Sequence, residues 1–183
     1  MKDGLKSVPC TACNTQYPPY IMQFHHPDPS KKHKNISAIT SIKALMREIE
    51  KCVILCANCH EITELEKRLA QAINGKIRKR SNIVYRRGEA IRKIADLARG
   101  VPCLDCGNSF PCSIMHFHHR NREEKSFEIM QSIRLKWITE DTLLSEIKKC
   151  VVLCPNCHLE REWGVNGILR KHFHRKFHGE SPN

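Results

Sequence analysis

The sequence contains no long hydrophobic run and relatively few acidic residues. No stretch approaches the roughly 18–20 apolar residues that a membrane-spanning helix needs. The opening Met-Lys-Asp-Gly-Leu-Lys-Ser has no apolar core of the kind that directs export, so a cytosolic chain with no membrane contact is expected. Asp and Glu number 19 against 31 Lys and Arg, a formal net charge of +12. That balance suits nucleic acid, whose phosphates supply salt-dependent affinity. Cysteine, by contrast, is plentiful, with eleven residues in 183. In a reducing cytosol clustered Cys-x-x-Cys pairs are read as metal sites, not as a disulfide scaffold.

The cysteines fall into a duplicated pattern. Cys52-Val-Ile-Leu-Cys-Ala-Asn-Cys-His60 returns as Cys150-Val-Val-Leu-Cys-Pro-Asn-Cys-His158, each copy preceded by Glu-Ile-x-Lys. Upstream, Cys10, Cys13, Ile21, Met22, Phe24, His25, His26, Lys32 and Ile36 recur 93 residues later, from Cys103 to Ile129. By Cys150 the offset is 98, which places a five-residue insertion between Ile129 and Glu146, near Leu135-Lys136-Trp137. The expected organisation is a first module over 1–74, a basic helical connector over 75–100, a second module over 101–165 and a basic, His-rich tail over 166–183. Modules of this size are marginal on a hydrophobic core alone and gain from a metal staple.

Within each module the pattern predicts an α+β unit. Residues 8–24 are expected to form a β-hairpin whose second strand ends in His25-His26, with Pro27 and Pro29 preventing a regular continuation. From Thr40, Ile42, Leu45, Met46 and Ile49 fall on one helical stripe, with Thr40 or Ser41 as cap. Val53-Ile54-Leu55 is a buried segment. A second helix follows His60, striped by Ile62, Leu65, Leu69 and Ile73 and stopped at Asn74-Gly75. In the connector, Ile91, Ile94, Ala95 and Ala98 mark another helix ending at Gly100.

Cys10, Cys13, Cys56 and Cys59 form one four-thiolate set, and Cys103, Cys106, Cys154 and Cys157 form the other. Two knuckles about 40 residues apart suit a closed, tetrahedral, structural Zn²⁺ site. With eight thiolates and two such ions the net charge falls to about +8, still basic. Cys52 and Cys150 are expected in the core, and Cys112 has no counterpart in the first repeat. The histidines His25, His26 and His60, matched by His118, His119 and His158, exceed what a four-cysteine site needs. Their recurrence points to a second, open centre in each module.

Phe-His-His, the downstream lysine and Glu-Ile-x-Lys-Cys-Val-hydrophobic-Leu-Cys-x-Asn-Cys-His together resemble the HNH endonucleases with a ββα-metal core and zinc knuckles, a group common in phage genomes. The resemblance covers about 10–60 and 103–163. It implies that His25 and His118, with His60 and His158, hold a catalytic divalent metal, Mg²⁺ or Mn²⁺. It also implies that His26 and His119 are the general bases. The implied substrate is DNA, double-stranded or branched, in the cytosol of a bacterium or phage-infected host; nick or double-strand cut and oligomeric state stay open. Two positions depart from the family. Lys51 and Lys149 stand where many members carry the asparagine that orients the base. Glu64 and Glu162 stand one turn after the ligand histidine, where some relatives have another histidine; they either join the metal or only complement the helix N-terminus. Lys32, Arg120, Arg122 and Lys125, with Arg78, Lys79 and Arg80 of the connector, are candidates to grip phosphates. The alternative is a zinc-ribbon nucleic-acid-binding protein with one or both nuclease centres inactive.

Overall fold

A computed structural model describes residues 3–74, 83–135 and 138–165, the side chains of 83–88 and 134–135 excepted. Arg78, Lys79, Arg80 and the tail over 166–183 lie outside the described residues. The architecture is mixed α and β, with two small two-stranded sheets. The chain divides into two compact units, one formed by residues up to Thr63 with those from Leu159 onward, the other by Glu64–His158. No helix among the described residues is long and apolar enough to cross a membrane.

In the first unit, β1 (Met22–His25) pairs antiparallel with β2 (Val53–Cys56), with Met22 opposite Cys56 and His25 opposite Val53. The hairpin expected over 8–24 is not formed. Thr11 instead donates its N–H to the Ile54 carbonyl, so the first knuckle docks on β2. Between the strands lies α1 (Ile42–Ile49), entered at Ser41. Its apolar stripe does not set its buried face. Ile42 is 62% exposed and Met46 is 40% exposed, while Leu45 and the charged Glu48 are buried. The reason is that Glu48 finds three donors inside, described below, which compensate its burial. After β2 the chain enters α2 (Ala57–Ile73), whose later apolar positions Leu69 and Ile73 stand exposed. The core around Cys10, Ile21, Met22, Leu55 and Cys56 is flanked by Tyr17, Tyr20 and, from the far end of the chain, Leu159.

In the second unit, α3 (Ile83–Arg99) precedes the repeat of this pattern. β3 (His116–His119) pairs antiparallel with β4 (Cys150–Leu153), with His118 opposite Val151 and His119 opposite Cys150. The five-residue insertion accompanies α4 (Ile129–Leu135), at the place where the first repeat has only the 3-10 turn Ile36–Ala38. Then come α5 (Glu140–Ile147), capped by the Thr139 hydroxyl accepting from the Thr142 N–H, and α6 (Pro155–Trp163). The helix assigned to the connector is a core element. Its Ile91 and Ala95 pack with Ile129, Ile133, Ile138, Leu143 and Cys150. Arg99 locks its end, donating from Nη1 to the Met115 carbonyl and from Nη2 to Asp96. A smaller cluster of Cys103, Met115, Val151, Leu153 and Cys154 backs the second knuckle pair.

Candidate metal centres

Each unit carries a group of four cysteine sulfurs within 4.8 Å of one another: Cys10, Cys13, Cys56 and Cys59, and Cys103, Cys106, Cys154 and Cys157. Local backbone geometry brings them together. The turn after each first knuckle requires a left-handed residue, supplied by Asn14 at φ 52° and Gly107 at φ 71°, equivalent positions of the repeat. Backbone bonds Asn14 N–H to the Cys10 carbonyl and Gly107 N–H to the Cys103 carbonyl close these turns. The second knuckle of each pair spans the passage from strand to helix, with Cys56 ending β2, Cys154 just before α6, and Cys59 and Cys157 in the first turns of α2 and α6. Cys106 Sγ and Cys154 Sγ lie 4.0 Å apart. A tetrahedral Zn²⁺ with bonds of about 2.3 Å requires sulfur–sulfur edges of roughly 3.8 Å, so the donor set fits this ion.

The thiols are electrostatically sorted. Burial pushes the Cys10 thiol up, yet N–H donors of Cys13, Cys56 and Ala12 outweigh it and bring it from 9.0 down to about 7. The Cys56 N–H to Cys10 Sγ distance is 3.2 Å. Cys103 behaves alike, at about 7, with Cys106, Cys154 and Asp105 as the donors. Cys59 and Cys157 are pushed upward by burial and by the neighbouring sulfurs. Thiols gathered this closely repel as thiolates, and a bound dication relieves the repulsion.

Beside each cysteine group lies a second cluster. His25, His60 and Glu64 bring their ligand atoms within 4.8 Å of one another, as do His118, His158 and Glu162. His25 is supplied by the end of β1, and His60 and Glu64 by one face of α2, one turn apart. The rings of His25 and His60 meet edge to face at 5.1 Å. His60 Nδ1 is buried and has no hydrogen-bond partner among the described residues. An orphaned buried nitrogen on a ring grouped with a histidine and a carboxylate fits a divalent cation, whose coordination would satisfy it. In the second unit His118 and His158 meet at 5.2 Å, and His116 stands edge-on to His158 at 5.1 Å. The sequence reading missed His116. It occupies the place of Gln23 and lies two residues before His118, on the same face of β3.

The histidines that follow, His26 just past the end of β1 and His119 at the last position of β3, meet different partners. His26 Nε2 is 2.9 Å from Glu48 Oε1, and His119 Nε2 is 2.8 Å from Glu146 Oε1. Cys52 Sγ is 3.4 Å from His26 Nε2, and Cys150 stands opposite His119 across the sheet. Burial raises both thiols, Cys150 to about 11, so neither is a thiolate at neutral pH. The two glutamates were also missed as site residues, although Glu-Ile-x-Lys is part of the repeat. Lys51 Nζ is 2.8 Å from Glu48 Oε2, and Lys149 Nζ is 2.7 Å from Glu146 Oε2. Hydrogen bonding to Lys51 is the largest cause holding the Glu48 carboxyl at about 2 instead of 4.5. Burial would raise Glu146, but Lys149, the Ser126 N–H and His119 bring it too to about 2.

Among the phosphate candidates, Lys32 and Arg122 are exposed. Arg120 donates to the Lys148 carbonyl at 3.0 Å, and Lys125 pairs with Glu128. Searches of family models, curated proteins and solved structures find no match to this chain.

Proposed function

We propose that the protein is a metal-dependent DNA endonuclease or nickase in which each module carries one HNH-type centre. The observation that carries this reading is the convergence, twice, of two histidines and a glutamate beside a four-cysteine group. A further histidine follows directly in the chain, His26 just past the end of β1 and His119 as the last residue of β3. His25 and His118, grouped with His60 and His158, serve as ligands, while His26 and His119, paired with Glu48 and Glu146, are held apart as bases.

In this reading Zn²⁺ in the cysteine groups is structural, since four thiolates leave no open position. His25, His60 and Glu64, or His118, His158 and Glu162, would hold Mg²⁺ or Mn²⁺, which when bound neutralises charge developing on the phosphate and on the leaving 3′-oxygen. The neutral imidazole of His26 or His119 takes a proton from the attacking water. The new P–O bond forms as the bond to the 3′-oxygen breaks, and that oxygen leaves with a proton from solvent. The exposed Lys32, Arg120 and Arg122, with Lys125, provide positive charge for flanking phosphates.

The test is a time course on supercoiled plasmid with zinc-loaded protein in Mg²⁺ or Mn²⁺, comparing wild type with His26→Ala, His119→Ala and the double variant. Wild type is expected to yield open-circle or linear product, the double variant none, and the single variants identify the cutting module. Salt-dependent binding without cleavage in any metal would replace this reading with that of a zinc-bearing nucleic-acid-binding protein.

A further inference from the structure

The carboxylates of Glu48 and Glu146 are 4% and 1% exposed and lie at equivalent places in the two repeats. Burying a carboxylate is costly, and an apolar side chain of similar volume packs at less cost unless the charge has a task or a full set of partners. Here both oxygens are held. Glu48 Oε1 accepts from His26 Nε2 and from the His33 N–H, each at 2.9 Å, while Oε2 accepts from Lys51. Glu146 Oε1 accepts from His119 Nε2 and the Ser126 N–H, each at 2.8 Å, while Oε2 accepts from Lys149. His33 and Ser126 are themselves equivalent in the repeat, so the same hydrogen-bond pattern is built twice on different side chains. The carboxylate cannot turn without losing a backbone donor or a lysine.

An ionised carboxylate only accepts, so the ring nitrogen facing it must carry a proton. In a neutral imidazole the lone pair is then on Nδ1. We infer that Glu48 and Glu146 are positioning residues: each fixes the plane and the Nε2–H tautomer of its histidine, leaving Nδ1 as the atom that receives the proton from water. Lys51 and Lys149 act one step further out, by fixing the carboxylate. The assignment rests on the endonuclease reading for its chemical purpose. The hold on the ring stands on the geometry alone.

The test uses the full zinc-loaded chain with Glu48→Gln, Glu146→Gln and the double variant. Glutamine keeps the shape, but its amide can present a donor or an acceptor to the ring. In the plasmid assay the double variant is expected to lose roughly 10–100-fold in kcat with KM held, the size typical of groups that orient a site residue. In parallel, ¹⁵N spectra of labelled histidine report the tautomer. Wild-type His26 and His119 are expected as Nε2–H, and the glutamine variants as a mixture with Nδ1–H. A wild-type Nδ1–H tautomer at both rings, which needs no variant to read, overturns the inference. So does unchanged kcat in a double variant of native zinc content. If wild type cuts no substrate, the endonuclease reading fails, and the spectra alone then decide the positioning role: Nε2–H lost on substitution supports it, and an unaltered tautomer overturns it.

Discussion

At the scale of single residues, each module buries one carboxylate beside its apolar core. Glu48 and Glu146 each gather a histidine, a lysine and backbone N–H groups, and each carboxyl is held at about 2 against an ordinary 4.5. Because the folded values are depressed, these groups stabilise the fold fully above pH 4.5, and the contribution is lost as pH falls toward about 2. Denaturant titrations of wild type and of Glu48→Gln with Glu146→Gln should therefore differ most above pH 4.5 and converge as pH approaches 2. A gap that stays constant over that range would show that the carboxylate charge is not what stabilises. The metal cluster makes its own residue-scale prediction. Glu64→Gln with Glu162→Gln should weaken Mn²⁺ binding, read by the electron paramagnetic signal of the free ion, while zinc content stays at two per chain. That outcome distinguishes a ligand from a charge that merely complements the start of α2 or α6.

At the scale of elements, the knuckle turns, more than the strands, place the sulfurs. Each strand pair is only four residues long. Gly107 at φ 71° has nothing near the position of an added Cβ, so Gly107→Ala carries backbone strain alone. It should destabilise by about 1 kcal/mol, read as a lower midpoint in urea. Asn14→Gly at the matching turn should be neutral or slightly stabilising by the same measure. Asn tolerates this conformation but Gly adopts it without a side-chain penalty, at a cost in unfolded-state entropy.

At the scale of the whole molecule, the linear order of repeats does not coincide with the compact units. The first unit includes residues from Leu159 onward: Leu159 packs on the core of Ile21 and Met22, and Tyr20 donates its hydroxyl to Glu160 Oε2 at 2.7 Å. Burial and that carboxylate raise Tyr20 to about 12. Leu159→Ala should lower the stability of the first unit by about 1–2 kcal/mol, since the side chain is only partly buried. The check is amide-exchange protection of β1 and β2, which should fall, whereas that of β3 and β4 should not. Zinc should matter at this scale too. The apolar clusters behind the knuckles are small, so a chelator that strips both ions should abolish the protection of both strand pairs together with the knuckle turns.

The sequence by itself determined the duplication, the spacing of the two four-cysteine groups, the paired histidines and the presence of helices α1, α2 and α3, although α2 already begins at Ala57 and α3 at Ile83. All of these depend on identity and short-range spacing, and the repeat reads each of them twice. It also placed Glu64 and Glu162 one turn from a histidine, because helical geometry is local. Tertiary structure decided what pairs with what. A strand of four residues carries no signal for its partner, so β1 reads as half of a local hairpin when it pairs across α1 with β2. The stripe of Ile42, Leu45, Met46 and Ile49 names a face, yet the face turned inward is the one carrying Glu48. Two donors from outside α1, His26 and the His33 N–H, are waiting there beside the nearby Lys51, and no pattern within α1 encodes those two. The same holds for α3, whose periodicity announces an amphipathic helix but not that its apolar side completes the core of the second unit. Spacing fixes which atoms a short segment can offer. Only the folded chain, by balancing desolvation against partners brought from far along the sequence, fixes which of them are buried together.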